Sequence, residues 1–314
     1  MNNYEGFFTF EVDAMKAMIL AAGLGTRLKP LTHNKPKALI PVANRPVIAR
    51  VIKYLKAHGV NEIVVNAHHH AEQIVDYLDG GRPFGLNIEV RVEPEILGTG
   101  GGIKNAFDFW DSDPFVVMNA DVLTDIDLSR AYTHHIASGA LVTLILHDCK
   151  PFNQIHTDAA TQRVTRIARQ AEPGALAFTG IHIMDPELLG HIPAQVYFDI
   201  IECYKELIDA GNPPAAFVSK GHYWRDVGSI DSYIKANREL AQGSFEIAEN
   251  SQVDPSVKFR QWAVVGENTR LEANVEMKSS ILWEDVLVSK GVRIVDSIVT
   301  SSKKVKDDLI SEIY

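Results

Sequence analysis

Cysteine is scarce in this sequence, and long apolar runs are absent from it. The two cysteines, Cys149 and Cys203, are too few for a disulfide framework, and neither stands in a Cys/His spacing typical of metal sites. A reducing compartment fits this composition best. No run approaches the roughly 18 apolar residues of a membrane span, and the N-terminal segment lacks the basic and apolar regions of a signal peptide. These absences predict a cytoplasmic protein with no membrane partner.

Basic residues are outnumbered by acidic ones. The chain has 31 Lys and Arg against 40 Asp and Glu, for a formal net charge of -9. General binding to nucleic acid needs clustered cations over a broad surface, so this composition argues against a nucleic-acid partner. Any phosphate that the protein binds should therefore be met by a few local cations.

Short strand-like runs alternate with helical patterns through most of the chain. The run AMILAA (17–22) is apolar throughout, as expected for a strand covered on both faces, and segment 46–59 places its apolar residues on one helical face. This alternation predicts an α/β domain over residues 15–243, with a Rossmann-like sheet that is mixed but mostly parallel. Residues 1–14 are expected to be an N-terminal extension.

After residue 243 the apolar residues follow a six-residue period. Val253, Phe259, Val265 and Leu271 show this spacing, and later residues continue it with shifts of register. The period fits no helix and no simple hairpin, and it is typical of the hexapeptide coils of a left-handed parallel β-helix. We predict such a β-helix over residues 244–314, with a few accidentally spaced edge strands as the alternative. The exposed edges of its coils predict a homo-oligomer.

The segment GLGTRLKPLTHNKPKALIPV (23–42) combines glycines with basic side chains at the end of the first predicted strand. Such a loop lies where open α/β sheets bind ligands. Gly23 and Gly25 let backbone N–H groups approach a phosphate, while Arg27 and Lys37 add positive charge. The loop predicts a polyphosphate site, but it lacks the third glycine of GxGxxG and the GK[ST] ending of a P-loop. A nucleotide-dependent dehydrogenase or P-loop kinase is therefore disfavoured.

Several segments carry a resemblance to one family. LAAGLGTRLKPLTHNKPKALIPV (20–42) is similar to GxGTRLxPLTxxxPKxLxPV, the signature of the sugar-1-phosphate nucleotidylyltransferases. The likeness continues to about residue 240 through LGTGGGI (97–103), VVMNADVL (116–123), FTGIHIM (178–184) and YWRDVGSIDSYIKAN (223–237). Members of this family often append a hexapeptide β-helix.

The resemblance implies that an oxygen of a sugar-1-phosphate attacks the α-phosphate of a nucleoside triphosphate, with Mg²⁺ as cofactor and pyrophosphate as leaving group. It implies that Arg27, Lys37 and Asp121 are catalytic, and that Asp121 and Asp226 bind the metal. The nucleotide-binding residues that it implies are Ala21, Ala22, Gly23, Gly25, Thr26, Arg27, Lys37, Asp76, Gly81 and Gly101.

On the sugar side the chain departs from the family pattern. The family carries EEKP before its sugar-side strand, whereas this chain has RIARQAEPGALAFTG (166–180), so Arg169, Glu172 and Gly180 are the expected sugar-phosphate residues. This segment resembles that of N-acetylmuramate-1-phosphate uridylyltransferases, while mannose-1-phosphate guanylyltransferase-like proteins carry a β-helix. The sugar and the base therefore stay open, with UTP or GTP expected.

A catalytically weak regulatory or assembly subunit of the same fold is the alternative function. A purely structural role would need none of Arg27, Lys37, Asp121 and Asp226, and all four are present. Their presence favours an enzyme.

Overall fold

The computed structural model describes residues 15–241 and 244–314, so the predicted extension 1–14 lies outside the described residues. The strands of the first part are β1 (Met15–Leu20), β2 (Pro41–Val42), β3 (Arg45–Pro46), β4 (Val60–Ala67), β5 (Asn87–Val92), β6 (Phe115–Asn119), β7 (Val122–Thr124), β8 (Val142–His147), β9 (Asn153–Asp158), β10 (Arg163–Ile167), β11 (Leu176–Met184), β12 (Ala215–Val218) and β13 (Trp224–Asp226). The helices are α1 (Val47–Ala57), α2 (Ala71–Leu78), α3 (Gly98–Asn105), α4 (Leu128–Ser138), α5 (Ile200–Asp209) and α6 (Ile230–Leu240).

A mixed sheet organises the first part, in the order β5-β4-β1-β6-β11-β8-β12-β10-β9. Strand β1 pairs in parallel with β4 and β6, and β4 pairs in parallel with β5. Strand β11 runs antiparallel to β6 and β8 and begins the mixed half. The carboxyl ends of β1, β4 and β6 therefore lie side by side, as expected of a ligand-binding edge.

Helices cover both faces of this sheet. Ala17 and Ile19 of β1 point into a core shared with α1, α2 and α4, whereas Met18 points into a core shared with α3 and α5. This alternation explains why the first strand is apolar at every position, since successive side chains reach opposite faces. Within residues 15–241 and 244–314, no helix has the length and apolar character to cross a membrane.

The second part consists of short parallel strands that repeat along the chain. They are β14 (Phe245–Ile247), β15 (Gln252–Val253), β16 (Lys258–Val265), β17 (Arg270–Leu271), β18 (Glu276–Leu282), β19 (Leu287–Val288), β20 (Arg293–Val295), β21 (Ile298–Val299), β22 (Lys304–Val305) and β23 (Leu309–Ile310). Val253 pairs with Leu271, Leu271 with Val288, and Val288 with Val305. These partners are 18, 17 and 17 residues apart along the chain, and the residues of the predicted six-residue period lie in or against the apolar interior.

The two parts share a third core. Trp262 and Trp283 of the second part pack in one cluster with Leu28 and Val42 of the opening segment and with Tyr233 of α6. The indole Nε1 of Trp283 donates to the Tyr233 hydroxyl at 2.8 Å, and that hydroxyl donates to the carbonyl of Pro41 at 2.9 Å. The second part of the chain therefore packs against the segment that carries the basic residues of the opening loop.

Candidate active site

Two adjoining cavities open at the carboxyl ends of β1 and β6. Their volumes are about 230 Å³ and about 320 Å³, and both are lined by Asn119 and Asp121. Five of the predicted site residues line the first cavity, namely Ala21, Ala22, Gly23, Lys37 and Asp121. The predicted residues Arg169, Gly180 and Asp226 line the second, together with Asp121. Residues predicted for the nucleotide thus line the first cavity and residues predicted for the sugar phosphate line the second, so we name them the nucleotide-side and the sugar-side cavity; Asp121 lines both.

The opening loop keeps its shape through its second glycine. Gly25 has a φ of +64°, and a Cβ atom at this position would lie 3.0 Å from Cγ2 of Thr32. The buried Thr32 donates its hydroxyl to the Gly25 carbonyl at 2.9 Å and fixes the turn. A Cβ atom at Gly23, in contrast, would meet no atom of the described chain within 4 Å. Gly23 therefore borders open space beside the loop, where a phosphate can approach the backbone.

A lysine and two aspartates meet where the cavities join. Strand β13 pairs with β7 so that Asp226 lies opposite Val122, directly beside Asp121. The Nζ atom of Lys37 contacts Oδ2 of Asp121 and lies 3.9 Å from Oδ1 of Asp226. The exposed fraction of each of the three side chains is between 17% and 24%.

The carboxyl group of Asp226 has a raised pKa in this cluster. Burial, together with the nearby charge of Asp121, raises the pKa of Asp226 to about 6, although Lys37 and Arg27 act in the opposite direction. Its buried Oδ1 atom has no hydrogen-bond partner among the described residues. An unsatisfied oxygen beside a second carboxylate fits a divalent cation with oxygen ligands, because such an ion would neutralise both charges.

Arg27 reaches the same cluster from the opening loop. A Cβ atom at Gly228 would lie 2.5 Å from Oδ1 of Asp226 and 3.0 Å from Nη2 of Arg27. Any larger residue at position 228 would therefore displace the Asp226 carboxylate or the Arg27 guanidinium. The sequence prediction did not select Gly228, although it directly follows the Asp-Val of the segment that carries Asp226.

Asn66 and Glu93 form a buried network that the sequence prediction missed. The side-chain Oδ1 of Asn66 accepts from the backbone N–H of Ala21 at 2.8 Å, and its Nδ2 donates to Oε1 of Glu93 at 2.8 Å. The other Glu93 oxygen accepts from the N–H of Leu97 at 3.2 Å. This network connects the opening loop with the second glycine loop across the first cavity. The sequence pattern that could have identified Asn66 is a polar residue near the end of an apolar strand. The same pattern marks Asp121.

Six of the ten residues predicted to bind the nucleotide do not line the first cavity, and three of these six lie away from the opening loop. Asp76 is exposed on α2. Gly81 has a φ of +90°, and a Cβ atom there would lie 2.2 Å from the Leu86 carbonyl oxygen, so this glycine serves a tight turn. Gly101 donates to the Phe198 carbonyl at 3.2 Å and packs α3 against the segment before α5. Gly25, Thr26 and Arg27 also lie outside the lining, but on the loop beside the cavity. The nucleotide-binding roles of Asp76, Gly81 and Gly101 stay predictions.

On the sugar side, one predicted residue lies outside the cavity lining and one residue that was not predicted belongs to it. Glu172 does not line the cavity, since its carboxylate binds Arg166 and lies 2.8 Å from Nε2 of His156. These hydrogen bonds, that to Arg166 first, lower the pKa of Glu172 to about 2. Lys205 of α5, which was not predicted, lines the cavity together with Arg169.

Gly180 allows β11 to pass close to the junction of the two cavities. Its φ is +75°, and a Cβ atom at this position would lie 2.6 Å from Nδ2 of Asn119. A side chain at position 180 would therefore push against the amide that both cavities share. This glycine contributes space and backbone conformation at the site.

Comparison with known proteins agrees with this geometry. Residues 16–243 match the family model described as nucleotidyl transferase. A UTP–glucose-1-phosphate uridylyltransferase from Synechocystis sp. is 33% identical over 303 residues, which cover 90% of this chain and 77% of that protein. A mannose-1-phosphate guanylyltransferase from Mycobacterium tuberculosis is 25% identical over 300 residues, which cover 90% of this chain and 83% of that protein.

A solved structure gives the same result for the fold. The crystal structure of HddC from Yersinia pseudotuberculosis complexed with GMP-PN matches with a TM-score of 0.61 and 25% identity, over 72% of this chain and 99% of that chain. The family match spans the mixed sheet, both cavities and the Lys37, Asp121 and Asp226 cluster. The motifs of the opening loop predicted this outcome, and the chain belongs to the nucleotidyl transferase family.

Proposed function

We propose that this protein joins a sugar-1-phosphate to a nucleoside triphosphate and releases pyrophosphate. The observation that carries the proposal is the position of Lys37, Asp121 and Asp226, which lie where the nucleotide-side and sugar-side cavities meet. In the reaction, an oxygen of the sugar phosphate forms a bond to the α-phosphorus. The bond from that phosphorus to the bridging oxygen breaks, and pyrophosphate leaves in line with the attack.

The chain's own residues bind and orient the two anionic substrates. Backbone N–H groups of the loop around Gly23 and Gly25 face the triphosphate, while Arg27 and Lys37 offset the repulsion between the reacting phosphates. Mg²⁺ held by Asp121 and Asp226 would neutralise further phosphate charge. No covalent enzyme intermediate is required, because a phosphate monoester is already a nucleophile at neutral pH.

UTP and GTP are the proposed nucleotides. The two relatives described above carry names of a uridylyltransferase and a guanylyltransferase. The first cavity offers Asn66 and backbone groups of Ala21, Ala22 and Gly98 to a base, with the Asn66 and Glu93 network fixing the wall. Glucose-1-phosphate and mannose-1-phosphate, named in the same two relatives, are the first sugar phosphates to compare.

Pyrophosphate release tests the proposed function directly. With Mg²⁺ present, UTP, GTP, dTTP, ATP and CTP would be combined with glucose-, mannose-, N-acetylglucosamine- and N-acetylmuramate-1-phosphate. We expect release that depends on both a nucleotide and a sugar phosphate, with Asp121→Asn as the inactive control. Absence of release in every combination, from protein that still binds a nucleotide, would contradict the proposal.

Lys205 is expected to contribute to sugar-phosphate binding. Its side chain is 38% exposed, forms an ion pair with Glu202 at 2.7 Å, and lines the same cavity as Arg169. Lys205→Gln should raise the KM for the sugar phosphate about tenfold, because a charge-assisted contact is lost, and should leave the KM for the nucleotide unchanged.

A matched control for this variant is Lys235→Gln. Lys235 is also an exposed lysine paired with an acid on its own helix, at 2.7 Å from Asp231, but it lies on α6 and does not line the sugar-side cavity. Equal effects of both substitutions on the sugar-phosphate KM would argue against a role for Lys205.

We further propose that residues 15–243 form the catalytic domain and that residues 244–314 form a left-handed β-helix of hexapeptide coils. Support comes from the parallel strands of the second part and from their coil length of about three hexapeptides. We propose a cytoplasmic homo-oligomer, as the composition and the exposed edges of the coils suggested.

A further inference from the structure

The first turns of α3 and α5 meet beside the two cavities. Thr99 of α3 lines the nucleotide-side cavity, whereas Ile201 and Lys205 of α5 line the sugar-side cavity. Segment 196–198, which comes just before the N-cap residue of α5, packs against the start of α3. The contacts between these two helix starts therefore connect the wall of one cavity with the wall of the other.

Glycines at the start of α3 allow this close approach. A Cβ atom at Gly100 would lie 2.7 Å from Cδ1 of Phe198, and a Cβ atom at Gly101 would lie 2.6 Å from the Val196 carbonyl oxygen. The carbonyl of Phe198 accepts from the N–H groups of Gly100 and Gly101, at 2.9 Å and 3.2 Å. Because the first N–H groups of a helix find no partner inside it, this carbonyl anchors the start of α3 to the segment before α5.

The hydroxyl of Thr99 anchors the start of α5 in return. It accepts from the backbone N–H of Ile200 at 3.0 Å and donates to Oδ1 of Asp199 at 3.3 Å. Asp199 is the N-cap residue of α5, and its Oδ1 also accepts from the N–H of Ile201 at 3.0 Å. Acceptors of this kind hold the first turn of a helix in place. One of them comes from α3, so the position of the first turn of α5 depends on Thr99.

Lys205 in turn depends on this first turn for its position. Ile201 and Lys205 are four residues apart in α5, so their side chains share one face of the helix, and that face borders the sugar-side cavity. Among the lining residues of this cavity, Lys205 and Arg169 are the cations available to a phosphate. Without the Thr99 hydroxyl, the Ile200 N–H would lose its acceptor. The Lys205 ammonium group would then be held less well at the place where the sugar phosphate binds.

We propose that Thr99 is a positioning residue for the sugar phosphate. It lines the nucleotide-side cavity, yet it acts on the second substrate by fixing the first turn of α5 and, through that turn, Lys205. Its hydroxyl has one hydrogen to donate, and Oδ1 of Asp199 accepts that hydrogen, which disfavours a role as a donor to the nucleotide. This inference rests on the proposed function and assigns a residue to the orientation of its second substrate.

Two substitutions of Thr99 test the inference. Valine has nearly the shape of threonine but lacks the hydroxyl, whereas serine keeps it. In assays of pyrophosphate release, Thr99→Val should raise the KM for the sugar phosphate about fivefold and leave the KM for the nucleotide unchanged, because the hydrogen bonds that are lost hold α5. Thr99→Ser should keep both wild-type values. A raised KM for the nucleotide alone, or no change in either KM with Thr99→Val, would overturn the inference.

A double substitution tests whether Thr99 acts through Lys205. In protein that already carries Lys205→Gln, Thr99→Val should change the sugar-phosphate KM less than about twofold, because the charge that Thr99 positions is gone. A further increase of about fivefold in that background would show that the two residues act independently, and it would contradict the assigned role.

Thr133→Val is the matched control. Thr133 is exposed on α4, its hydroxyl donates to the carbonyl of Ser129 at 3.0 Å, and it lines neither cavity. It should leave both KM values unchanged, and equal changes in Thr133→Val and Thr99→Val would contradict a specific role of Thr99. Wild-type protein that releases no pyrophosphate with any pair of substrates would overturn the proposed function, and the inference with it. An active wild type with an unaffected Thr99→Val variant would overturn the inference alone.

Discussion

Substitution of Asp226 by asparagine is expected to remove most nucleotidyl transfer and, at the same time, to stabilise the metal-free protein. Activity should fall about 10²–10³-fold, because the asparagine cannot neutralise a divalent cation at the site where phosphate charge develops. Stability should rise because burial and Asp121 disfavour the charged form of Asp226. Removal of that charge relieves both effects.

The stability gain depends on pH in a defined direction. The pKa of Asp226 is raised from 3.8 to about 6 in the folded protein, so its favourable contribution is complete below about pH 4 and is lost as the pH rises through about 6. The Asp226→Asn side chain does not ionise, so the variant keeps the stability that the wild type loses as the pH rises. At pH 8 its free energy of unfolding should exceed that of the wild type by up to about 3 kcal/mol. The difference should be small at pH 4.

Urea denaturation without metal, at pH 4 and pH 8, measures this difference. Asp231→Asn is the control, because Asp231 is 77% exposed on α6 and should leave stability and activity nearly unchanged. A variant Asp226→Asn that is less stable than the wild type at pH 8 would contradict the electrostatic account of the cluster.

Replacement of Lys37 by glutamine is expected to have the second large effect. The variant should lose about 10²–10³-fold in kcat, because Lys37 is the cation placed between the two cavities. Without metal it should also be less stable than the wild type, since Asp121 and Asp226 would lose the ammonium group between them. Added Mg²⁺ should then raise the Tm of the variant more than that of the wild type.

Thermal unfolding with and without Mg²⁺, together with pyrophosphate release, measures these effects. Lys53→Gln on the exposed surface of α1 serves as the control. The same increase of Tm with Mg²⁺ in Lys37→Gln and in the wild type would show that Lys37 and the metal do not act on the same carboxylates.

The two aspartates of the cluster were predicted as metal ligands from motifs in the sequence. Asp121 and Asp226 were both identified from the sequence, yet nothing in the local pattern indicates that they meet. Their proximity depends on the short β7 and β13 pair, which places Asp226 opposite Val122. Strands of three residues show too little periodicity to be predicted from sequence. The pairing that brings the two aspartates together is therefore visible only in the structure.

The positions of Asp76 and Gly81 outside the first cavity have a geometric cause. Helix α2 begins at Ala71, just after the carboxyl end of β4, and runs away from the ligand edge of the sheet. Its eight residues span about 12 Å, so Gly81 beyond its end is far from that edge. Asn66, near the end of β4 itself, lines the first cavity instead.

Glu172 shows that a carboxylate close in sequence to a predicted site can be bound by other side chains. The hairpin of β9 and β10 places His156 opposite Arg166, and together these residues bind the Glu172 carboxylate. The sequence showed one nearby carboxylate but gave no information about cross-strand partners. A sugar would have to compete with those partners for the Glu172 carboxylate.

The hydrogen bonds from Trp283 through Tyr233 to Pro41 have a consequence for recombination between relatives. A chimera that took its coils from another protein would need a matching indole, hydroxyl and loop conformation, as well as a partner for Lys35, which pairs with Glu284 at 2.6 Å. Exchange of the C-terminal part would therefore change the contacts that support the loop that carries Lys37. The boundary near residue 243 separates two patterns of sequence, but it does not separate two interchangeable modules.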